Sequence, residues 1–301
     1  MGSLRRIATV AATDLPLAFR SRRAVVMTLL FAAVSALLAY GLVSAFSAIE
    51  REVVSALRLP AAGNPGAVTM TLWRSASFSR IVSALVPDSL VFADIKGSHP
   101  LVLAYAFFMF HAVPLLTLLV TAPAIAQDVA SGAARYRLVR ATRTEWTLGK
   151  AAAEAFLLAA AMSAGAFSAW AVATFRMSAA EGVPLAPAFA AWTARAWLYA
   201  VAWLGLFLGI SHLSRSAGKA TAFSIFALVA TAALPSALGN LAEAYGALSF
   251  LAHLDAFVPQ KALVNLWRSA PAALLQGVVH AFSLAFLYLG IGSFFFARRD
   301  V

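Results

Sequence analysis

Six apolar runs, at 24–49, 101–125, 151–175, 188–212, 220–241 and 272–297, are each long enough to cross a hydrocarbon core about 30 Å thick. A backbone inside such a core must satisfy its own donors and acceptors, so runs of this length are expected to be helices. Their weight sets the composition: the chain is 62% hydrophobic, its mean hydropathy is +0.84, and only 12% of its residues are charged. Soluble domains carry about 25%. The expected fold is an all-α integral membrane protein of six transmembrane helices, forming a single domain over 1–301.

The net charge of +11 does not mark a nucleic-acid binder, because the basic residues are dispersed at the ends of apolar runs rather than gathered on a polar domain. With both termini placed in the cytoplasm, 14 Lys and Arg fall inside and 9 outside, against 5 and 7 acidic residues. That is the asymmetry of the positive-inside rule, and the reversed topology would break it. The absence of cysteine excludes disulfides, thiolate metal sites and cysteine catalysis.

Residues 4–19 put Leu4, Ile7, Ala8, Ala11 and Leu15 on one helical face and leave Arg5, Arg6 and Asp14 off it, which predicts an N-terminal interfacial helix. The run at 24–49 is too long and too far from the start for a cleaved signal peptide. Residues 50–100 are mixed, with a turn cluster at 60–66 and amphipathic stretches at 53–59 and 78–86, and are expected to form an extracytoplasmic insertion. In the second span Pro114 and Pro123 should kink or end the helix. The third span is rich in Ala, Ser and Gly, which predicts burial within the bundle, and Gly205 with Gly209 predicts close helix packing. Stretches 248–257 and 261–267 are too short to cross and too apolar for free loops, so re-entrant or interfacial helices fit them.

The longest polar interruption between two spans, 128–150, carries Arg135, Arg137, Arg140, Arg143 and Lys150 against Asp128 and Glu145. Thr142 with Glu145 fits a capping box, so a helix should start near Arg143 and run on into the third span, with Lys150 and Glu154 one turn apart. A separate short helix is expected over 131–141. Asp128 and Arg143 flank the turn and are expected to pair, or each to hold a backbone end.

Asp128, Gly132, Arg143, Gly149 and Lys150 reproduce the spacing of the cytoplasmic segment of ABC-2 type transporter permeases, and the chain resembles that family here. Asp128 stands where Glu is usual and Ala141 where Pro is common. The close Phe296-Ala-Arg-Arg-Asp is similar to the ending of many such permeases. The resemblance implies that the short helix is a coupling helix and that Asp128, Gly132, Arg143, Gly149 and Lys150 serve ATPase coupling. It further implies a permease subunit in the inner membrane, in contact with membrane lipid. Its partners would be two copies of an ATPase subunit that holds the ATP and Mg, together with a second copy or a related permease. Transport would be export by alternating access.

No nucleotide site is expected in this chain, since a phosphate loop ending at Gly149-Lys150 needs Gly at 144 and a hydroxyl at 151, where Thr144 and Ala151 stand. No metal or other cofactor is expected either. His111 and His280 lie inside spans, where a neutral His bonded to a neighbouring helix is the simpler role, and Arg195 is close enough to the start of its span to snorkel. No nucleophile-base-acid set is present, so the chain is not expected to be an enzyme. A secondary transporter is the rival class, but it usually leaves Asp or Glu near the bilayer midplane, and the middle thirds of these spans have none. A non-transporting scaffold is the third.

Overall fold

The structure, a computed structural model, describes residues 2–20, 22–56, 89–177 and 183–298, together with Trp73, Ser75 and Arg80. The turn cluster at 60–66, most of the amphipathic stretches at 53–59 and 78–86, and the terminal Arg299 and Asp300 lie outside the described residues.

Among the described residues every regular element is helical. Helices α1 (Ser3–Arg20) and α2 (Arg23–Ala56) are followed by α3 (Ser89–Lys96), α4 (Pro100–Thr121), α5 (Ala124–Ala130), α6 (Ala133–Leu138) and α7 (Arg143–Arg176). After a 3-10 turn at Val183–Leu185 come α8 (Ala186–Leu213) and α9 (Ala217–Ala244). A 3-10 segment at Gly246–Phe257 leads to α10 (Gln260–Trp267) and α11 (Pro271–Ala297). Six helical segments are long and apolar enough to cross a membrane: Ala24–Val53, Pro100–Ala130, Arg143–Arg176, Ala186–Leu213, Ala217–Ala244 and Pro271–Ala297. They coincide with the six runs of the sequence. The chain has the architecture of a multi-pass membrane protein.

Helix α8 is the hub: over an apolar stretch of 18 residues 72% of its positions are buried, against 67% for the matching stretch of Pro100–Ala130, 39% for Arg143–Arg176 and 6% for Ala217–Ala244. The third span, expected to be buried in the bundle, is buried along one side, with 16 of its 34 residues buried. Small residues do bring α7 close to α2, where a Cβ on Gly165 would meet the Phe31 ring at 2.8 Å and Ser168 Oγ donates to Ala32 O at 2.8 Å. The opposite side of α7 projects Phe156, Phe167 and Phe175 outward, so small residues mark a seam rather than a buried helix. Gly205 and Gly209 pack α8 onto α11 within the chain: a Cβ on Gly205 would stand 2.3 Å from Ala285 Cα, and one on Gly292 would stand 2.7 Å from Gly209 Cα.

Near the start of α8 an aromatic cluster fills the bundle. Trp192 and Trp267 have ring centroids 4.8 Å apart, Phe110 lies 5.0 Å from Trp267, and Tyr199 lies 5.8 Å from Phe110. These tilted and edge-on pairings add about 0.5–1.5 kcal/mol each beyond burial of area.

Candidate functional site

The other end of α8 meets the polar segment, which is built from one broken helix. Pro123 cannot donate a backbone bond, so α4 ends at Thr121 and the chain restarts as α5. The donors freed by the break are satisfied from α8, whose Ser211 hydroxyl accepts from Ile125 N at 3.2 Å and Ala126 N at 3.0 Å. That holds α5 with Asp128 against the bundle.

Gly132 then turns the chain at φ 75°, a left-handed conformation that L side chains adopt at a penalty of about 1–2 kcal/mol. The short helix after it, α6, is six residues long. Thr142 starts α7 with a complete capping box, its hydroxyl accepting from Glu145 N at 3.3 Å while Glu145 Oε2 accepts from Thr142 N at 3.0 Å.

Four charges converge where α1, α5, α6 and α7 meet. Arg137 Nη1 lies 2.5 Å from Asp14 Oδ1 and 3.1 Å from Asp128 Oδ2, and Lys150 Nζ lies 2.8 Å from Asp128 Oδ2 and 3.3 Å from Asp14 Oδ2. Side-chain exposures of 6% for Asp14, 10% for Lys150, 16% for Asp128 and 25% for Arg137 make this a largely desolvated quartet. Two anions against two cations balance within the quartet, the condition under which a buried ionic group is tolerated, and Glu154, another buried carboxylate, lines the cavity beside it. Removing one member leaves two like charges sharing a single partner in a desolvated place, at up to about 3–5 kcal/mol.

A cavity of about 420 Å³ opens beside the quartet, with Leu17, Met27, Val120 and Leu157 in its apolar wall. A second ionic contact fastens α1 to α7, from Arg6 Nε to Glu145 Oε1 at 2.9 Å. Close approach makes both possible, because a Cβ on Gly149 would stand 2.6 Å from Val10 Cβ and 2.9 Å from Ile7 O.

The expected Asp128–Arg143 pair does not form. Asp128 is taken by Arg137 and Lys150, while Arg143 turns to α11, donating to Phe296 O with Cζ 5.3 Å from the Phe296 ring. Arg143 instead covers one of the last carbonyls of α11, away from the turn. Phe296 also packs against Trp146 and against His212, with ring centroids at 5.7 and 5.4 Å. His212 Nδ1 donates to Leu208 O at 2.8 Å, which leaves Nε2 to accept from the Thr147 hydroxyl at 2.9 Å. Four sequence-derived positions thus meet along one path: Asp128 and Lys150 in the quartet, Gly149 at the α1 contact, and Arg143 at the end of α11. Gly132 sits at the turn that separates α5 from α6.

Asp14, Arg137, His212 and Thr147 were not legible as members of this assembly. On α1, Ile7, Ala11 and Leu15 of the face drawn from apolar spacing are half-buried, but Leu4 is 82% exposed and Asp14, placed off that face, is buried. A lone acid in a basic N-terminal segment was the available signal. Of the two histidines read from the sequence as lying inside spans, His111 bonds the carbonyl of Phe107 one turn back on its own helix instead of a neighbouring helix.

The short helix and its C-cap display Tyr136 and Val139 at 82% and 84% exposure, flanked by Arg135 and Arg140. Next to them a cleft of about 490 Å³ is lined by Arg135, Leu138, Val139, Ala141, Thr142 and Arg143. Comparison with protein-family models and with curated proteins finds no match for this chain.

Proposed function

We propose that this chain is the membrane subunit of an ABC-2 type exporter, with α6 as the coupling helix and α1 as an interfacial helix. The observation that carries the reading is mechanical: a short helix with an exposed aromatic and aliphatic tip is joined through Arg137 to Asp14 on α1, to Asp128 on α5 and, through the shared carboxylates, to Lys150 on α7. Force applied to α6 passes into a helix of 34 residues that is long enough to span. A loop retained only for its positive charge needs no such joint.

In this reading the α6 end faces the cytoplasm, as the Lys and Arg count favours, with both termini on that side of the inner membrane. ATP and Mg belong to the partner ATPase, whose two copies would bear on two permease subunits, and alternating access would follow from movement of α6. Helix α9 is the candidate seam for the second permease, since it turns Phe223, Phe226 and Val229 outward and of its residues only Ala220 and Ser224 are buried.

The experiment is to purify the protein from its native membrane and measure Mg-dependent ATP hydrolysis in the complex. Val139→Asp changes an exposed residue, so folding should be unaffected while the associated ATPase activity is lost. If the wild-type preparation carries no ATPase activity, or Val139→Asp retains all of it, the coupling role of α6 is wrong.

A further inference from the structure

At the end of the bundle away from the quartet, one cation sits on the aromatic cluster and a second follows it in the chain, each with an unmet nitrogen. Arg195 of α8 lies over Trp192, with Cζ 4.6 Å from the ring centroid, and Trp192 packs on Trp267 at 4.8 Å. Arg268 follows Trp267 directly and closes α10. The nearby anion is Asp94 of α3, whose Oδ2 accepts from Ser269 N at 2.9 Å and whose charge also acts on Arg195. Among the described residues, Arg195 Nη1 and Arg268 Nε are shut off from solvent and have no hydrogen-bond partner.

Both guanidinium groups are half-buried, and a donor nitrogen left unmet away from solvent is unfavourable and uncommon. Two guanidinium groups against one carboxylate, which is already engaged with a backbone N–H, leave one positive charge in excess. The fork of a guanidinium matches pairs of phosphate oxygens, and Trp faces supply apolar surface at the depth where headgroups meet acyl chains. Arg195 lies about 14 Å along α8 from its first residue, below the helix end but within reach of that depth.

We propose that Arg195 and Arg268 bind a phosphate group on the Trp192–Trp267 platform, with the headgroup phosphate of a phospholipid or a free phosphate as its source. Arg195 supplies the fork, Arg268 the second contact, and Asp94 limits affinity by competing for the same charge. This site is independent of the coupling reading.

The test uses the delipidated full-length protein in nonionic detergent, with melting temperature followed against dioleoylphosphatidylglycerol, dioleoylglycerol and inorganic phosphate. Phosphatidylglycerol should raise the melting temperature and dioleoylglycerol, which has the same tails without phosphate, should not. A shift with inorganic phosphate alone identifies the free ion as the source; a shift with the lipid only identifies the headgroup. Arg195→Gln and Arg268→Gln should each weaken the response about tenfold. Asp94→Asn, which keeps an oxygen for Ser269 N, should strengthen it, an outcome that misfolding does not imitate. Arg195→Lys keeps the charge without the fork and should lie between wild type and Arg195→Gln. The proposal is overturned if dioleoylglycerol stabilises as well as phosphatidylglycerol, or if Asp94→Asn and Arg195→Lys both leave the midpoint concentration unchanged.

Discussion

At the Asp128 end of the bundle four charges neutralise one another within 3.3 Å, whereas at the Arg195 end two guanidinium groups keep nitrogens that no described residue meets. Arg195 and His212 stand at the two sites on the same helix, 17 residues and thus about 25 Å apart. The comparison separates two uses of charge in an apolar fold. A closed set of opposite charges fastens helices to each other, while a set left open among the described residues is where the proposed phosphate would bind.

The sharpest way to break that contrast is to open the closed set. Lys150→Met leaves Asp14 and Asp128 sharing Arg137, and stability should fall by about 3–5 kcal/mol, read as a large drop in melting temperature in detergent. Adding Asp128→Asn to Lys150→Met should recover part of the loss by removing the surplus anion. Arg195→Gln in lipid-free detergent should change melting by less than about 1 kcal/mol, because it removes a charge that is not yet paired. Equal losses at the two ends would end the comparison.

Next in size is the contact that carries α1 to the quartet. Gly149→Val places branched carbon where a Cβ already stands 2.6 Å from Val10 Cβ, so α1 must shift and the overpacking should cost about 1–3 kcal/mol. A single cysteine at Val10, silent in the parent background, should then become reactive to a thiol reagent. Gly132→Ala meets no atom within 4 Å, so its loss should be confined to the left-handed turn, about 1–2 kcal/mol. A larger loss at Gly132 than at Gly149 would contradict the close approach.

These two glycines show what was legible in the chain and what was not. Hydropathy alone identified the six spans, since lipid leaves the backbone few options, and the Thr142–Glu145 box was readable because it is local. The spaced positions Asp128, Arg143 and Lys150 were readable as a set but not as pairs. Arg137 lies nine residues from Asp128 and Arg143 fifteen, and only the fold of the turn decides which one reaches the carboxylate. Burial order was hidden for a related reason: α7 and α8 both contain small residues, and which one occupies the centre depends on how many neighbours it gathers. Asp14 was assigned to the wrong face because an apolar-moment reading places every charge outside, whereas a paired charge can be the most buried residue of its helix.

Arg143 allows a functional version of the same comparison. Arg143→Ala removes the donor to Phe296 O and the contact with the Phe296 ring, while Arg135→Ala removes equal charge from the exposed side of α6. If coupling runs through α7 and α11, the first substitution should separate ATP hydrolysis from transport and lower melting by about 1–2 kcal/mol. Arg135→Ala should do neither. Equal behaviour of the two variants in ATPase and transport assays would reduce the segment to an ordinary basic loop.

The smallest effect belongs to His99, which comes just before α4, the helix whose Phe110 joins the aromatic cluster, and gives that end of the bundle a pH dependence. Its Nδ1 accepts from Leu101 N at 3.2 Å, an N-cap that exists only while this nitrogen is unprotonated. Burial lowers the His99 pKa from the ordinary 6.5, and the charge of Glu50 opposes that shift without reversing it. With the folded pKa below the unfolded one, the unfolded chain takes up the proton first as pH falls, so the contribution is complete above 6.5 and is lost on acidification toward the folded value. The cap is worth about 1 kcal/mol, which bounds the change in stability between pH 8 and pH 5 from this residue. His99→Asn keeps an acceptor at the cap and has no proton to gain, so its melting temperature should track the wild type at pH 8 and exceed it at pH 5. Parallel curves for the two proteins across that range would show that the ring is not held neutral by the fold.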